Sequence, residues 1–495
     1  MKKKLSSILI TIGMVVLVYA SGVQETSTDK TSKQQESNTS AKNIILLIGD
    51  GMSAAQIETA DAYLGAQNGK MLDQLCFESF PHQGLTTTYA NDRFITDSAA
   101  AGTAIATGHK TYCGAISVNE EHKSLKTILE YAQDKGKATG IITTTRVTHA
   151  TPAVFLSHNK DRDAENDIAV EESTSNVDFL AGGGYRNFIG QNNAYNLNSK
   201  RTDNQDLIEN MKKAGYTAFI SEEQTVAFNN YVPKKGEKIV GLFGSSHLDY
   251  AIDKTNQPTL AQMTSKGLEL LSKDSDGFFM MVEGGRIDHA CHANDATSAI
   301  MDTLAFNDAV QVAIDFYNKN PEDTLIIVTG DHETGGLTLG FAGTYYESAF
   351  DKLHNQSISY ENYQYGKFQE YKDSHDATNA TLNDLRGDIS KYFGLDNLTA
   401  DEETALSDAL IRSISGKVIK GSSEADYLLY GGYEPFIMQV THIVNNRAGV
   451  AWTSYSHTAV PVATFAIGPD SNQINGMFDN TKVFDFMANA FNVVN

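Results

Sequence analysis

The chain of 495 residues has only three cysteines, Cys76, Cys113 and Cys291. This small, odd number argues against a fold held together by disulfide bonds, although any one pair could still form. Basic residues are also scarce, since 39 Lys and Arg stand against 61 Asp and Glu and the net charge is −22. Nucleic-acid binders normally present a basic face, so we expect no nucleic acid as a partner. Anionic substrates remain compatible with this charge, because bound metal cations can reverse the local field.

Long apolar runs are missing after the N-terminus, so no later segment is expected to span a membrane. The N-terminus combines Lys2, Lys3 and Lys4 with an apolar run at 9–18, the pattern of a cleaved export signal. A membrane anchor is the alternative, but the run is short for a spanning helix. We therefore expect residues 1–20 to be a signal peptide and the protein to be periplasmic or extracellular, without a stable membrane span. The polar stretch that follows, at 21–42, predicts a disordered spacer.

Strand-like and helical patterns alternate through most of the chain. Nearly continuous apolar runs at 43–48, 277–282 and 324–329 are typical of strands buried on both faces. The alternation predicts an α/β fold, with a large, mostly parallel central sheet and helices on both faces. We expect one domain over 43–495. Within it, a Tyr-rich, polar region at about 341–447 predicts an inserted mixed segment that covers the site or offers a surface to a partner.

Acidic residues stand where these three apolar runs end. Asp50 follows the first run, Glu283 the second and Asp331 the third. In parallel α/β sheets, sites form at the carboxyl ends of the strands. Asp288 and His292 are four residues apart and would share one helix face, at the start of a long helical pattern that continues to about residue 317.

Two histidines extend this acidic set: His332 directly follows Asp331, and His457 precedes the last apolar strand. Each of these residues alone has a structural interpretation, such as a helix cap or a hydrogen-bonded histidine. Gathered at one sheet edge, however, they would repel and desolvate one another unless cations lay between them. Mixed Asp and His sets suit zinc, whereas Asp, Glu and Thr sets suit magnesium. The sequence supplies both kinds of set.

Ser98 follows Asp97, a good N-cap residue, at the start of a run of small residues. A serine in the first turn of a helix lies in the positive field of unpaired N–H groups, which suits both a hydroxyl that loses its proton and a bound phosphate. Taken alone, the stretch could equally be an Ala-rich structural helix. Near two metal ions, however, such a serine is an activated nucleophile. With an arginine that holds two phosphoryl oxygens, these parts suit phosphomonoester hydrolysis.

At this point the chain resembles the alkaline phosphatase family. The order and spacing of the matching motifs agree with the family over about 43–340 and 448–495. The motifs are Ile48-Gly49-Asp50-Gly51-Met52, Thr96-Asp97-Ser98-Ala99-Ala100, His149-Ala150-Thr151-Pro152, Val282 to His292, Thr329-Gly330-Asp331-His332, and Ser456-His457-Thr458.

The resemblance implies a role for each site residue. Ser98 would attack phosphorus and form a phosphoserine that water hydrolyses, and Arg162 would bind the phosphate. The implied cofactors are two Zn²⁺ and one Mg²⁺ per subunit. One zinc would be held by Asp288, His292 and His457, the second by Asp50, Asp331 and His332, and the magnesium by Asp50, Thr151 and Glu283.

Two further histidines, His149 and His289, would lie beside the magnesium site without being assigned as ligands. Some bacterial members of the family carry Asp and Lys at these positions, so the pair is more similar to the animal branch. This departure affects the expected magnesium affinity and pH optimum, and it leaves the expected reaction unchanged. The resemblance also implies a homodimer, and it assigns no functional residue within 341–447.

We therefore expect a metal-dependent hydrolase of small phosphate monoesters that works at alkaline pH. One alternative is a phosphodiesterase or phosphonate hydrolase on the same two-zinc scaffold, but these commonly use Thr as the nucleophile and lack the magnesium triad. Ser98 together with Thr151 and Glu283 argues against that alternative. A second alternative is a non-catalytic envelope protein that binds metal or phosphate, although no motif residue is missing.

Overall fold

The computed structural model describes residues 40–416 and 423–493. The expected signal peptide at 1–20 and most of the expected spacer at 21–42 lie outside the described residues. Ser40 donates a hydrogen bond to the backbone oxygen of Ala490 at 3.0 Å, and Ala41 is buried. The described chain therefore packs against the domain from its first residues. Within the described ranges, none of the helices has both the length and the apolar character needed to cross a bilayer.

Fourteen strands occur in the described chain. They are β1 (Asn43–Gly49), β2 (His82–Thr87), β3 (Ala138–Arg146), β4 (Phe179–Gly183), β5 (Tyr216–Ile220), β6 (Lys238–Leu242), β7 (Phe278–Gly284), β8 (Thr324–Gly330), β9 (Glu333–Thr334), β10 (Thr338–Leu339), β11 (Val450–Ala451), β12 (His457–Thr458), β13 (Val462–Ile467) and β14 (Gly476–Asp479).

Ten of these strands form one sheet in the order β14-β2-β13-β8-β1-β7-β3-β4-β6-β5. Strand β13 runs antiparallel to both of its neighbours, and the other neighbouring pairs are parallel. The short strands form two separate antiparallel pairs, β10 with β11 and β9 with β12. The prediction of a large, mostly parallel sheet is confirmed.

Helices occupy the connections between strands. They are α1 (Ala54–Asn68), α2 (Ser98–Thr107), α3 (Ile128–Asp134), α4 (Ala150–Leu156), α5 (Glu165–Thr174), α6 (Leu207–Lys213), α7 (Thr225–Asn230), α8 (Leu260–Leu271), α9 (Arg286–His292), α10 (Ala296–Tyr317), α11 (Tyr360–Tyr363), α12 (Gln369–Ser374), α13 (Leu382–Phe393), α14 (Ala400–Ser415), α15 (Glu424–Tyr430), α16 (Pro435–Ala448) and α17 (Thr481–Phe491).

The continuous apolar runs are explained by burial of both sheet faces. In β1, Ile45 and Leu47 belong to one hydrophobic cluster, and Ile44 and Leu46 belong to the other. Helices α1, α8 and α10 contribute to the first cluster, and α2, α4 and α17 contribute to the second. Since successive side chains of a strand point to opposite faces, a strand covered on both sides needs apolar residues throughout. The prediction of helices on both faces is confirmed.

The helical pattern that follows the second apolar run is divided into two helices. Helix α9 ends at His292, and α10 begins after Asp295, whose carboxylate accepts a hydrogen bond from the Ser298 backbone N–H at 3.1 Å. An Asp at this position caps a new helix by satisfying one of its free N–H groups. The break separates the short α9, which carries Asp288 and His292, from the long α10 that packs in the core.

In the described part of the Tyr-rich region at 341–447, the regular elements are helices, including α14 where the sequence predicts a helical patch. Tyr363, Phe368 and Phe436 from this region are fully buried in the same cluster as Phe306 of α10. The region therefore packs onto the first face of the sheet domain. Its interpretation as an insertion stays a prediction.

Candidate active site and metal centre

The three strand-end acids lie side by side. Strand β1 lies between β7 and β8, with Gly49 level with both Gly284 and Gly330. Asp50 directly follows β1, Asp331 directly follows β8, and Glu283 is the penultimate residue of β7. All three carboxylates are fully buried. The parallel register thus gathers them at one edge of the sheet, where parallel α/β sheets build their sites.

Asp50, Asp331 and His332 form one group of candidate ligands. His332 Nε2 lies 3.4 Å from Asp50 Oδ1 and 3.3 Å from Asp331 Oδ2. Asp331 Oδ1 accepts hydrogen bonds from the backbone N–H groups of Gly51 and His332 at 3.1 and 2.9 Å. Among the described residues, Asp50 Oδ1 and Asp331 Oδ2 are buried and have no hydrogen-bond partner. Two unpaired carboxylate oxygens therefore face one imidazole nitrogen.

The tautomer of His332 follows from Thr334. The Thr334 hydroxyl donates to Asp288 Oδ1 at 2.5 Å, so its oxygen accepts from His332 Nδ1 at 3.2 Å. Since the Nδ1 atom then carries the proton of the neutral ring, Nε2 offers its lone pair to the site. Such an outer hydrogen bond is the usual way in which a protein orients a metal-binding histidine.

A second group contains Asp288, His292 and His457. The Nε2 atoms of the two histidines lie 3.3 and 3.6 Å from Asp288 Oδ1, and 3.1 Å from each other. Both rings donate from Nδ1 to backbone carbonyls, His292 to Tyr455 at 2.7 Å and His457 to Thr96 at 2.8 Å. Burial opposes a charge on His292, but Asp288 outweighs it and raises the pKa of that ring to about 9, so without a cation a proton lies between these groups. A bound cation would take the place of that proton, with both Nε2 lone pairs as ligands.

Helix α9 provides two members of this group at the predicted spacing, Asp288 and His292. His332 joins the two groups, because its ring stacks on that of His457 with the ring centroids 3.5 Å apart. His332 and His457 also form a candidate ligand set with Asp288. The two groups are therefore neighbours, as a pair of catalytic metal ions requires.

The third group consists of Asp50, Glu283, Thr151 and His149. Thr151 Oγ1 donates to Asp50 Oδ2 at 3.2 Å. His149 Nδ1 lies 3.9 Å from both Asp50 Oδ2 and Glu283 Oε1, closer than we expected for a residue beside the ligand set. Yet His149 Nε2 must accept from Arg162 Nη2 at 3.1 Å, because a guanidinium only donates. The proton then belongs on Nδ1, so the ring donates toward the acids and leaves the oxygen atoms as ligands.

Two threonines of β3 hold Glu283 in place. Thr143 lies beside Glu283 in the register of β3 and β7, and both Thr143 and Thr145 donate from Oγ1 to Glu283 Oε2. This leaves Oε1 buried and, within the described chain, unpaired. The sequence analysis missed these threonines and Thr334. The run of three threonines at 143–145 is the one signal that could have indicated Thr143 and Thr145, because residues two apart in a strand share a face.

His289 lies behind the third group. Its ring centroid is 5.4 Å from that of His149 and 4.3 Å from that of His247, which the sequence analysis also missed. Arg286 Nη1 donates to His289 Nδ1 at 3.1 Å. Burial, and then the neighbouring cationic groups, lower the pKa of His149 and His289. These rings are therefore neutral at physiological pH.

Ser98 is the first residue of α2, at the edge of the groups of candidate metal ligands. Asp97 caps the helix by accepting from the Ala100 N–H at 2.9 Å. Ser98 is almost fully buried, and its Oγ lies 3.1 Å from His332 Nε2. Since that nitrogen carries a lone pair, the hydroxyl donates to it in this arrangement. Helix α2 thus begins where the sequence predicts, and the serine oxygen lies beside the candidate metal ligand His332.

Arg162 approaches the same place from a turn before α5. Its Nη1 donates to Asp97 Oδ2 at 3.0 Å, and its Nη2 donates to His149. The Gly114 backbone N–H donates to the same carboxylate oxygen of Asp97 at 2.9 Å. The guanidinium is therefore fixed beside the N-terminus of α2. Of the twelve site residues predicted from the sequence, eleven lie within this arrangement and His289 lies behind it.

Ionising the buried carboxyl groups of the site close to one another costs electrostatic free energy. Burial first, and then mutual repulsion, raise the pKa of Asp50. Burial raises the pKa of Asp331, and it raises the pKa of Glu283 to about 7. Burial also acts on Asp288, but His292 outweighs it and lowers the pKa of that carboxyl. Crowded, unpaired carboxylate oxygens and imidazole lone pairs fit divalent cations, with nitrogen and oxygen donors for zinc and oxygen donors for magnesium.

Comparisons with known proteins point to one family. The model of the alkaline phosphatase family matches residues 41–404 and 423–493, which include most of the region at 341–447. Among curated relatives, "Alkaline phosphatase 3" of Bacillus subtilis (strain 168) is 33% identical over 491 residues. The match covers 97% of this chain and 95% of that protein.

Solved structures of the same family share the fold. Thermus thermophilus alkaline phosphatase is 28% identical with a TM-score of 0.76, covering 95% of this chain and 96% of that chain. A mutant of TAB5 alkaline phosphatase, described with Mg bound in its M3 site, is 25% identical with a TM-score of 0.63. It covers 92% of this chain and 99% of that chain.

Proposed function

Because this chain belongs to the alkaline phosphatase family, whose members are metal-dependent enzymes, we propose that it hydrolyses phosphate monoesters at alkaline pH through a phosphoserine on Ser98. The observation that carries the proposal is the convergence at the N-terminus of α2. Ser98 Oγ lies 3.1 Å from His332 Nε2, and the Arg162 guanidinium is held by Asp97, the residue before Ser98.

Ser98 is the proposed nucleophile. Its hydroxyl proton passes to water and its oxygen forms a bond to phosphorus while the bond from phosphorus to the leaving oxygen breaks, and the departing alkoxide takes up a proton from water. Water then attacks the phosphoserine, releases inorganic phosphate and restores the hydroxyl. The free N–H groups of the first turn of α2 favour the negative charge that develops there. Arg162 donates two parallel N–H groups to phosphoryl oxygens, a geometry that suits transfer in line.

Two zinc ions and one magnesium ion are the proposed cofactors. Zinc would be held by Asp288, His292 and His457 and by Asp50, Asp331 and His332, and magnesium by Asp50, Thr151 and Glu283. When bound, the zinc pair would stabilise the attacking and leaving oxygens. The oxygen-only third set supports magnesium. His149 and His289 would stay outside the ligand set, as positioning residues.

A homodimer is the proposed assembly. Strands β2 and β14 end the sheet on one side, where Leu85 and Met477 are directly paired. Their side chains are 46% and 64% exposed, and Phe94, in the loop that leads to α2, is 75% exposed. Exposed apolar side chains of this size are typical of protein interfaces. Sedimentation should show a dimer that Met477→Lys weakens, and a wild-type monomer at micromolar concentration would contradict it.

Export is the proposed fate of the chain, directed by residues 1–20. Their three lysines and apolar run are the supporting observation. Expression of the full chain with an intact and with a deleted 1–20 segment tests this. The enzyme should be periplasmic or extracellular, and shortened at its N-terminus, only in the first case.

The activity is tested with p-nitrophenyl phosphate at alkaline pH. Chelation should abolish turnover, and zinc with magnesium should restore it. Ser98→Ala should lose at least about a thousandfold in kcat, as expected when a nucleophile is removed, and should form no phosphoenzyme. The surface variant Ser79→Ala, which loses an exposed hydroxyl that donates to the Cys76 carbonyl, is the matched control.

Three outcomes would contradict the proposal. Full activity of Ser98→Ala would remove the phosphoserine mechanism. A preference for bis-p-nitrophenyl phosphate would favour a phosphodiesterase. Tight binding of zinc and phosphate without turnover of either ester would favour a non-catalytic binding protein.

A further inference from the structure

Arg286 is a buried cation that begins the metal-binding helix α9. It is 4% exposed and lies two residues before Asp288. Its Nη1 donates to His289, and the centre of its guanidinium stacks 3.7 Å above the ring of Tyr250. A guanidinium cannot lose its charge to escape burial, so it needs an anion close by.

Glu361 of α11 supplies that anion from the Tyr-rich region. Arg286 Nη2 donates directly to the Glu361 carboxylate. In the part of the chain that the structure describes, Glu361 is the one carboxylate in ion-pair contact with Arg286. Asp302 is buried nearby, but it bonds to the Ala251 N–H at 3.1 Å instead. A residue far from the strand-end motifs thus balances the charge at the start of α9.

Two neighbouring contacts fix Glu361 in position. Ser359 donates from its backbone N and from Oγ to the two oxygens of Asp253, at 2.8 and 2.6 Å. The Tyr360 N–H donates to Asp295 Oδ2 at 3.0 Å. Asp295 is the cap of α10, directly after the break that ends α9. Glu361 and Tyr360 therefore contact the first residue of the short helix and the cap residue that follows it, and Ser359 anchors the same segment to Asp253.

We propose that Glu361 is a positioning residue for the metal centre. It neutralises Arg286, and Arg286 in turn holds His289 and the first turn of α9, which places Asp288 and His292 for the cation. Without the carboxylate, Arg286 would be an unpaired buried charge and would move toward solvent, carrying the first turn of α9 with it. The proposal rests on the metal-binding part of the proposed function. It adds a residue outside the ligand set that affects how tightly the metal is held.

The test compares Glu361→Gln, Glu361→Asp and the control Glu370→Gln. Glu370 lies in the same region, is exposed, and among the described residues has Lys367 as its ion-pair partner. Zinc release from the loaded protein is followed with the chromogenic chelator 4-(2-pyridylazo)resorcinol, in the absence of substrate. Glu361→Gln should release zinc up to about tenfold faster, the low end of the cost of losing a residue bonded directly to a metal ligand, because Glu361 acts through Arg286. Glu361→Asp should recover most of the wild-type rate, and Glu370→Gln should match wild type.

Hydrogen exchange on the metal-free proteins provides a second readout. Amides of 286–292 should exchange faster in Glu361→Gln than in wild type, while those of β1 and β8 stay unchanged. Unchanged zinc release from folded Glu361→Gln, or an equal effect of Glu370→Gln, would overturn the proposal. If Glu361→Gln does not fold, wild-type zinc release from Arg286→Lys would overturn it instead. Neither readout uses turnover, so a failed phosphatase assay with Ser98→Ala would not be mistaken for a failure here.

Discussion

Asp97 and Arg162 form an ion pair in which Asp97 Oδ2 and Arg162 Nη1 are 3.0 Å apart, while Asp97 Oδ1 caps helix α2. One carboxylate therefore sets both the start of the nucleophile's helix and the position of the arginine. Both side chains are about one-fifth exposed, so water screens the pair only in part. The two roles of Asp97 can be separated experimentally, because an asparagine in its place still caps helix α2 but no longer carries the charge that pairs with Arg162.

Asp97→Asn should weaken phosphate binding while preserving the helix. A hydrogen bond to a charged group contributes about 1.5–3 kcal/mol at most, and partial exposure reduces this, so we expect the inhibition constant of inorganic phosphate to rise about three- to tenfold. Steady-state kinetics with phosphate as inhibitor measures the change.

The matched control for this prediction is Asp92→Asn, because Asp92 pairs with the neighbouring Arg93 on the surface. It should leave phosphate inhibition unchanged, and the melting temperatures of both variants should stay close to that of wild type. A normal inhibition constant in Asp97→Asn would mean that Arg162 is held by His149 alone.

The strands that carry the ligands could be predicted because each is buried on both faces, which imposes an apolar run that ends sharply at an acid. Asp50 and Asp331 are examples, and their adjacency follows from the parallel register. The residues that orient the ligands could not be predicted. Thr143, Thr145 and Thr334 are ordinary strand residues in sequence, and only the tertiary register places them beside Glu283 and Asp288.

The break between α9 and α10 is a second feature that could not be predicted from the sequence. The apolar spacing of α9 continues into α10, and the interruption depends on Asp295, whose carboxylate is shared between the α10 cap and the Tyr360 N–H from 65 residues away. Local periodicity carries no signal of such a distant partner. For the same reason, the contact between Glu361 and Arg286 appears only in the folded chain.

Gly330→Ala should destabilise the fold and displace Asp331. A Cβ at Gly330 would lie 2.1 Å from the backbone oxygen of Met52, which cannot move without shifting the β1–α1 corner that carries Asp50. Overpacking of this kind costs about 1–3 kcal/mol. Chemical denaturation should show that loss, together with weaker zinc binding. Gly340→Ala is the control, since nothing lies within 4 Å of its added Cβ, and equal stability of the two variants would contradict the prediction.

Glu172→Gln should stabilise the protein at neutral and alkaline pH. Glu172 is fully buried in α5, and within the described chain neither of its carboxylate oxygens has a hydrogen-bond partner. Burial, and then Glu171, raise its pKa well above the ordinary value. The unfolded chain therefore loses this proton at lower pH than the folded one, so stability is lost as pH rises from the ordinary pKa through the raised one.

For Glu172→Gln, the free energy of unfolding should match that of wild type near pH 4 and exceed it increasingly up to pH 8, because only the carboxyl has a raised pKa. The difference amounts to about 1.4 kcal/mol for each unit of pKa difference between the folded and unfolded states. Urea titrations at several pH values measure the difference. The exposed variant Glu223→Gln should show no such divergence. A constant offset at every pH would mean that the amide changes packing and that the charge is not responsible.

Removal of the metal ions should make stability depend on pH. Burial raises the pKa of Asp50, Asp331 and Glu283 in the metal-free site, the last to about 7. A carboxyl with a raised folded-state pKa destabilises the folded protein increasingly as pH rises from the ordinary value through the raised one. Buried His149 and His289 act in the opposite direction only below their ordinary pKa, because burial lowers the pKa of both rings. The metal-free protein should therefore melt at progressively lower temperature between pH 7 and pH 9. Bound cations remove this repulsion, and each should add about 4 kcal/mol at a thousandfold excess over its Kd.

Calorimetric melting of chelated and zinc- and magnesium-loaded protein across pH 5–9 measures this effect. Glu283→Gln is the informative variant, because it removes one of the three buried acids and should flatten the pH dependence of the metal-free form. Ser98→Ala keeps every metal-binding carboxylate and imidazole, so its melting curves should follow those of wild type in both states. A metal-free protein whose melting temperature is constant from pH 7 to pH 9 would mean that its carboxylates are solvated or paired, and the cation-centred interpretation of their burial would be wrong.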